Sequence, residues 1–179
     1  MEEQNRLFDL LQSATQKQIN RISALTQEYR RISKSDTDRV KMLLAEIAVL
    51  CSYIKRRKHL TLLADRDCKV AVSELERAFS ESLQTLKLLN VRNTLYVDSE
   101  LSTLSGKNAA AILDFYEEVI EADLENLTSV QISLANINGL RLSLNVCCEA
   151  DLSIFLNKGN VIYEMDDDAG YQHLVFIIE

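Results

Sequence analysis

The sequence contains no proline, and its first glycine is Gly106. The other glycines are Gly139, Gly159 and Gly170. Because both residue types interrupt regular structure, a hundred residues without either of them predict long helices. Four isolated glycines are also too few for the glycine-rich loop that cradles a phosphate in many nucleotide-binding proteins. The scarcity therefore favours a helical N-terminal part and argues against nucleotide chemistry.

Long hydrophobic runs are absent as well. The longest apolar runs, such as those at 47–51 and 174–178, fall far short of the roughly 20 residues that span a bilayer. Glu2 and Glu3 follow Met1, whereas a signal peptide begins with basic residues and continues with apolar ones. We therefore expect no membrane segment in this chain and a cytoplasmic location, either as a separate protein or as the cytoplasmic piece of something larger.

Residues that bind metals are also few. The four cysteines form no C-x-x-C pair, and the only histidines are His59 and His173. A metal site would need more of these ligands at closer spacing, so we expect buried free thiols. The cysteines are Cys51, Cys68, Cys147 and Cys148.

Charge is distributed unevenly along the chain, whose net charge is −7. Residues 1–70 contain 14 lysines and arginines against 9 acidic residues, whereas residues 71–179 contain 6 against 18. The basic excess is too small, and too poor in interleaved aromatic residues, to favour nucleic acid. We expect an acidic protein partner for the N-terminal part instead.

Apolar residues recur at spacings of three and four in two N-terminal segments, which predicts amphipathic helices. The first helix is expected at about 7–31 and the second at about 40–64, with a turn and an N-cap at 33–36. Two long helices with a short connection form an antiparallel hairpin. Apolar doublets such as Leu43 with Leu44 are more than one partner helix can cover. A four-helix dimer would bury them, and packing against the rest of the chain is the alternative.

The remaining sequence mixes helical and alternating patterns. Ser73 with Glu76 three residues later predicts a capping box at the start of a helix. The turn 136–139 between two alternating runs predicts a β-hairpin. In chain order we expect a helix (74–89), a strand (94–98), a helix (108–127), strands (130–135 and 140–146), a short helix (150–156) and strands (161–165 and 173–178).

This order resembles the core of a sensor histidine kinase, as do the segments 43–65 (LLAEIAVLCSYIKRRKHLTLLAD), 74–89 and 114–122. The resemblance implies an α+β fold in two domains. Residues 1–67 would form the helical hairpin that makes a four-helix bundle on dimerisation. Residues 68–179 would form a degenerate two-layer α/β sandwich of the GHKL ATPase type with a truncated lid.

The family's ATP-binding helix carries a glutamate followed four residues later by an asparagine that holds Mg²⁺. The matching positions here are Glu117 and Glu121, so a glutamate replaces the asparagine. Its negative charge beside a triphosphate should repel ATP. We therefore interpret these acids, with Asp114 and Glu118 nearby, as a solvated helix face.

The family also has an aspartate followed by glycines that contacts adenine, and then a glycine-rich lid. Here Asp151 is displaced from that position, no glycine accompanies it, and Gly159 stands alone in the short segment 151–160. We expect that no cofactor binds. If ATP and Mg²⁺ do bind, Glu117, Glu121 and Asp151 are the candidate contacts.

The phosphoacceptor histidine of the family lies on the first helix, where this chain has none. An imidazole is needed because the phosphoramidate must form and then leave readily. His59, at the end of the basic run 55–59, is the remaining candidate. The run is otherwise a solvated helix end or a docking patch.

Three functional hypotheses follow. The favoured one is a histidine-kinase-like signalling module without ATP binding or autophosphorylation, which acts as a homodimer on a receiver domain of a response regulator or on a fused sensor domain. The second is a phosphotransferase that resembles the sporulation phosphorelay protein. The third is an active ATP-dependent histidine kinase with unorthodox motifs.

Overall fold

The computed structural model describes residues 2–32, 36–65, 69–166 and 170–178. The helices are α1 (Glu2–Ser13), α2 (Gln16–Arg31), α3 (Thr37–Asp65), α4 (Val72–Leu86) and α5 (Gly106–Ala122), with short 3-10 helices at Lys87–Leu89 and Leu152–Lys158. The strands are β1 (Lys69–Ala71), β2 (Arg92–Val97), β3 (Thr103–Ser105), β4 (Ser129–Asn136), β5 (Leu140–Cys147), β6 (Val161–Asp166) and β7 (Tyr171–Ile178).

The predicted antiparallel hairpin is formed by α2 and α3. Leu25 of α2 packs with Leu43 and Leu50 of α3 in a small apolar cluster. Ion pairs along the hairpin join Arg21 to Glu46 at 2.7 Å and Arg39 to Glu28 at 2.6 Å. Asp36 caps α3 by accepting the Arg39 N–H at 3.1 Å, as expected, while residues 33–35 of the predicted turn lie outside the described residues.

The first predicted helix is interrupted, which the periodicity does not indicate. Thr15 lies between α1 and α2 with φ −133° and ψ 8°. Its N–H donates to the Gln12 carbonyl at 3.2 Å, a tighter turn than the α-helix, and its hydroxyl donates to the Leu11 carbonyl at 3.2 Å. The side chain thus competes with the backbone ladder where the helix breaks.

A mixed five-stranded sheet carries the rest of the fold, in the order β2-β4-β5-β7-β6, with β2 parallel to β4 and the other pairs antiparallel. Alternate residues of β5 (Leu142, Leu144 and Val146) are fully buried under α4 and α5. Phe115 of α5 stacks on Phe176 at a centroid distance of 4.7 Å. The predicted sandwich of one sheet and one helical layer is therefore confirmed.

Helix α3 lies on the outer side of α4 and α5, so it belongs to the hairpin and to the main core at once. Val49, Tyr53 and Leu60 of α3 are buried in the same cluster as the sheet residues. Packing against the rest of the chain, which was the alternative to a four-helix dimer, therefore holds for α3. The division into domains 1–67 and 68–179 stays a prediction.

The start of α4 differs from the prediction. Ser73 and Glu76 form no capping box, because β1 runs directly into α4 and Ala71 occupies the N-cap position without a side-chain hydrogen bond. The Val72 N–H instead donates to the Ser102 carbonyl at 3.0 Å. A pairing of β1 with β3, which no sequence pattern indicates, therefore replaces the cap.

The cysteines are less buried than expected. Cys51 is exposed, because Leu50 takes the inward position on α3, while Cys147 and Cys148 are half-buried and Cys68 lies outside the described residues. Among the described helices, none is long and apolar enough to cross a membrane.

Candidate functional site

The residues matched to the family's nucleotide site begin with two acids one turn apart on α5. Glu117 is only 2% exposed, and its Oε1 has no hydrogen-bond partner among the described residues. Burial raises its pKa well above the ordinary range, the nearby Glu121 raises it further, and Lys17 opposes them. The expectation of a solvated helix face is therefore wrong for Glu117, because Lys17, Gln18 and Tyr53 of the hairpin lie beside it.

Glu121 is engaged by α2 through both oxygens. The Gln18 amide donates to Oε1 at 2.9 Å, and the Lys17 ammonium lies 2.8 Å from Oε2. Gln18 is itself buried, so this contact is shielded from solvent on one side. Both oxygens of Glu121 are therefore engaged, whereas Glu117 Oε1 has no hydrogen-bond partner among the described residues.

Asp114, one turn before Glu117, is held by α3. It accepts hydrogen bonds from the Tyr53 hydroxyl at 2.8 Å and from Arg57 Nε at 2.5 Å. Burial and the negative charge of Asp114 both raise the pKa of Tyr53, so the hydroxyl stays protonated and donates. Both helices of the hairpin, α2 and α3, therefore form polar contacts with acidic residues of α5.

Several cations of the hairpin pair with acids of the C-terminal part. Arg39 bridges to Glu125 at 2.7 Å, Lys55 and Arg56 reach Glu81, and Arg57 reaches Asp114. The acidic partner expected for the basic N-terminal part is thus supplied, for these residues, by the same chain. The run 55–57 is accordingly not a free docking patch, whereas His59, two residues beyond it, is exposed on α3.

Two residues that the sequence analysis did not identify restrain the loop after β5 through hydrogen bonds. This loop corresponds to the position where the kinase family contacts adenine. Asp123 accepts the N–H groups of Glu149 and Ala150 at 2.9 and 2.8 Å. Buried Gln172 accepts the Leu152 N–H at 2.8 Å and donates to the Ala150 carbonyl at 2.7 Å. The sequence could have indicated a buried role for Gln172. It is a polar residue at an inward-facing position of β7, in the same alternation as Leu174 and Phe176.

Asp151 is exposed and caps the 3-10 helix that follows it. Its Oδ1 accepts the Ser153 N–H at 2.9 Å, and hydrogen bonding to Ser153 holds the pKa of Asp151 below its ordinary value. Glu117 and Glu121 lie together on α5, while Asp151 belongs to a separate cap.

A cavity of about 650 Å³ lies between the hairpin, α5 and the 3-10 helix at 152–158. Val49, Leu50 and Phe155 provide its apolar lining, and Lys17, Arg21 and Glu46 provide charged groups. The 3-10 helix at 152–158 therefore faces the hairpin across this space.

Comparison with known proteins places this fold. No family model matches the chain, and no curated protein sequence matches it significantly. The histidine kinase domain of a blue-light-activated histidine kinase from Erythrobacter litoralis is similar over 87% of this chain and 93% of that domain, with a TM-score of 0.51 and 13% identity.

Two further solved structures are similar at lower scores. A bacterial phosphotransferase matches over 94% of this chain and 92% of its own, with a TM-score of 0.49 and 8% identity. The cytoplasmic segment of the histidine kinase QseC matches over 78% and 94%, with a TM-score of 0.44 and 11% identity. The fold assignment rests on the Erythrobacter domain together with the element order: this chain has the fold of a histidine kinase core.

Proposed function

We propose that this chain is a signalling module of a two-component system that acts through protein–protein contacts, without binding ATP or phosphorylating itself. Its location would be cytoplasmic, and its partner would be a receiver domain or a fused sensor domain. The observation that carries the proposal is the burial of Glu117 together with the engagement of both oxygens of Glu121 by Lys17 and Gln18 of α2.

The chemistry of a Mg²⁺–ATP complex does not fit these residues. Mg²⁺ requires oxygen ligands in near-octahedral geometry together with the substrate phosphates. Glu121 already binds Lys17 and Gln18, and the burial that raises the pKa of Glu117 disfavours the charged form that a cation would need. Gln172 and Asp123 further restrain the loop that would approach a base.

Titration calorimetry with Mg²⁺ and ATP tests this proposal. We expect no saturable binding at millimolar nucleotide, and the same result for Glu121→Ala. The substitution serves as a control because it removes the acid that stands at the family's metal-binding position. Tight binding by the unmodified chain that is lost in Glu121→Ala would contradict the proposal and favour an active kinase.

The same proposal includes a homodimer formed through the hairpin. The outward face of α3 contains Leu44, which is 49% exposed, half-buried Ala48 and exposed Cys51. An exposed apolar stripe on a helix is typical of a surface that a partner helix covers. A second hairpin would complete a four-helix bundle there.

Light scattering tests the dimer. The chain has a mass of 20.4 kDa, and we expect twice that value in solution. Leu44→Glu should shift the protein to the monomer, because a charge would be buried at the interface. Ile137→Glu, at an exposed position in the β4–β5 turn, is the matched control and should remain dimeric. A monomeric unmodified chain at high concentration would rule the interface out.

A further inference from the structure

The cavity between the hairpin, α5 and the 3-10 helix at 152–158 has a buried hydrogen-bond acceptor in its lining. Glu46 of α3 lines this cavity and is only 6% exposed. Arg21 lies 2.8 Å from it through Nε and 2.7 Å through Nη2, and both contacts are to Oε1. Oε2 is shielded from solvent and has no hydrogen-bond partner in the described part of the chain. Because a buried acceptor without a donor is unfavourable, a donor that reaches Oε2 would be favoured.

The other charged groups of the lining already have partners of opposite charge. Lys17 lies 2.8 Å from Glu121 Oε2, and Glu118 Oε2 lies 2.7 Å from Lys158, which is outside the lining. The lining as a whole carries three carboxylates against two cations. The open position is therefore an acceptor in slightly negative surroundings, which favours a cationic donor over a neutral one and disfavours an anion.

The rest of the lining is mainly apolar. Val49, Leu50, Leu124 and Phe155 are buried around the cavity, whereas Ile154 lines it and is 59% exposed. The volume of about 650 Å³ is within the range of pockets that hold small organic molecules. A ligand with an apolar body would remove part of the Ile154 side chain from water, which is favourable.

We propose that this cavity binds a small organic cation, whose primary ammonium or guanidinium group donates to Glu46 Oε2 and whose apolar body lies against Phe155 and Ile154. The terminal torsion of a glutamate is soft, so the carboxylate can turn Oε2 toward a ligand that enters the cavity. Arg21, whose side chain is 56% exposed, has room to follow Oε1 in that rotation. The site uses neither a phosphate nor a metal, and it does not depend on the proposed contacts with a partner protein.

Titration of the full chain with 4-phenylbutylammonium, followed by NMR, tests this site. We expect saturable shifts of backbone amides in α3 and in the 3-10 helix at 152–158. The uncharged 4-phenylbutanol and the anionic 4-phenylbutyrate have the same apolar body and should each bind about tenfold more weakly or less. Glu46→Gln should weaken binding of the ammonium about tenfold, because a hydrogen bond between two charged groups is lost, and should change that of the alcohol little.

Glu28→Gln is the matched control, since Glu28 also pairs with an arginine of the hairpin but does not line the cavity. Circular dichroism verifies that each variant is folded. Ile154→Arg, at an exposed position, places a cation beside the cavity and should also weaken binding, which keeps the test valid if Glu46→Gln does not fold. Absence of saturable binding, equal affinity for the ammonium and the alcohol, or unchanged affinity in folded Glu46→Gln would each overturn the proposal.

Discussion

Glu117→Gln is expected to stabilise the protein at neutral pH and to remove much of the pH dependence of its stability. Burial holds the pKa of Glu117 well above its unfolded value, with Glu121 raising it further. The folded state therefore keeps a proton that the unfolded state releases. Glutamine has nearly the same shape and no charge to bury, so it avoids this cost.

The direction of this pH dependence of the stability follows from proton binding. For an acid whose pKa is raised in the folded state, the full stability is present below the unfolded pKa and is lost as the pH rises toward the folded pKa. In that interval the free energy of unfolding should fall by about 1.4 kcal/mol per pH unit. Urea unfolding at several pH values between 4.5 and 8 measures this slope. The range starts at 4.5 because the unfolded pKa of a glutamate is about 4.3.

Glu118→Gln is the matched control on the same helix. Glu118 is half-exposed and paired with Lys158 at 2.7 Å, so Glu118→Gln removes a charge that is not buried and should not stabilise the protein. The explanation fails if Glu117→Gln retains the wild-type slope.

Gly106→Val is expected to destabilise the protein by about 2 to 3 kcal/mol. A Cβ at position 106 would lie 2.6 Å from Ala64 Cα and 2.7 Å from Ala64 N. Both are backbone atoms, so α3 and α5 would have to move apart where they meet. The better helix propensity of a residue other than glycine does not offset this displacement.

Thermal or urea unfolding measures the effect, with Lys107→Val as the control at the next, exposed position. That variant should change the stability by no more than about 0.5 kcal/mol. Ala64→Gly should not rescue Gly106→Val, because the close contacts are to the backbone of residue 64 and not only to its methyl group. Unchanged stability of Gly106→Val would refute the close approach.

Local patterns were sufficient for much of the fold. Three features were predicted and found: the apolar spacing of α3, the alternation in β4 and β5, and an N-cap at 33–36, which Asp36 provides. Helix periodicity, strand periodicity and capping all depend on neighbouring residues, so the sequence pattern contains them. The break at Thr15 and the start of α4 at Val72 were missed. Each depends on a hydrogen bond, from Thr15 to Leu11 and from Val72 to Ser102, that periodicity does not register.

The candidate site was predicted less well than the fold. The match of Glu117 and Glu121 to the family's helix points to the face of α5 where Lys17 and Gln18 lie, and the position of Asp151 after β5 points to a loop that Asp123 restrains. The sequence does not show that Lys17 and Gln18, about a hundred residues earlier, lie against that face. Gln172 likewise acts on a loop twenty residues away.

The sequence by itself determined the helical N-terminal part, the alternating strands after it and the lack of a glycine-rich loop, since proline, glycine and side-chain periodicity act within a few residues. Only the tertiary structure decided which acidic residues of α5 are buried. It placed Lys17, Gln18 and Tyr53 beside α5, so Glu117 is buried and its pKa is raised, while Glu118, the next residue, stays half-exposed. Desolvation depends on what the fold brings to a side chain, and the spacing of charges along the chain does not contain that information.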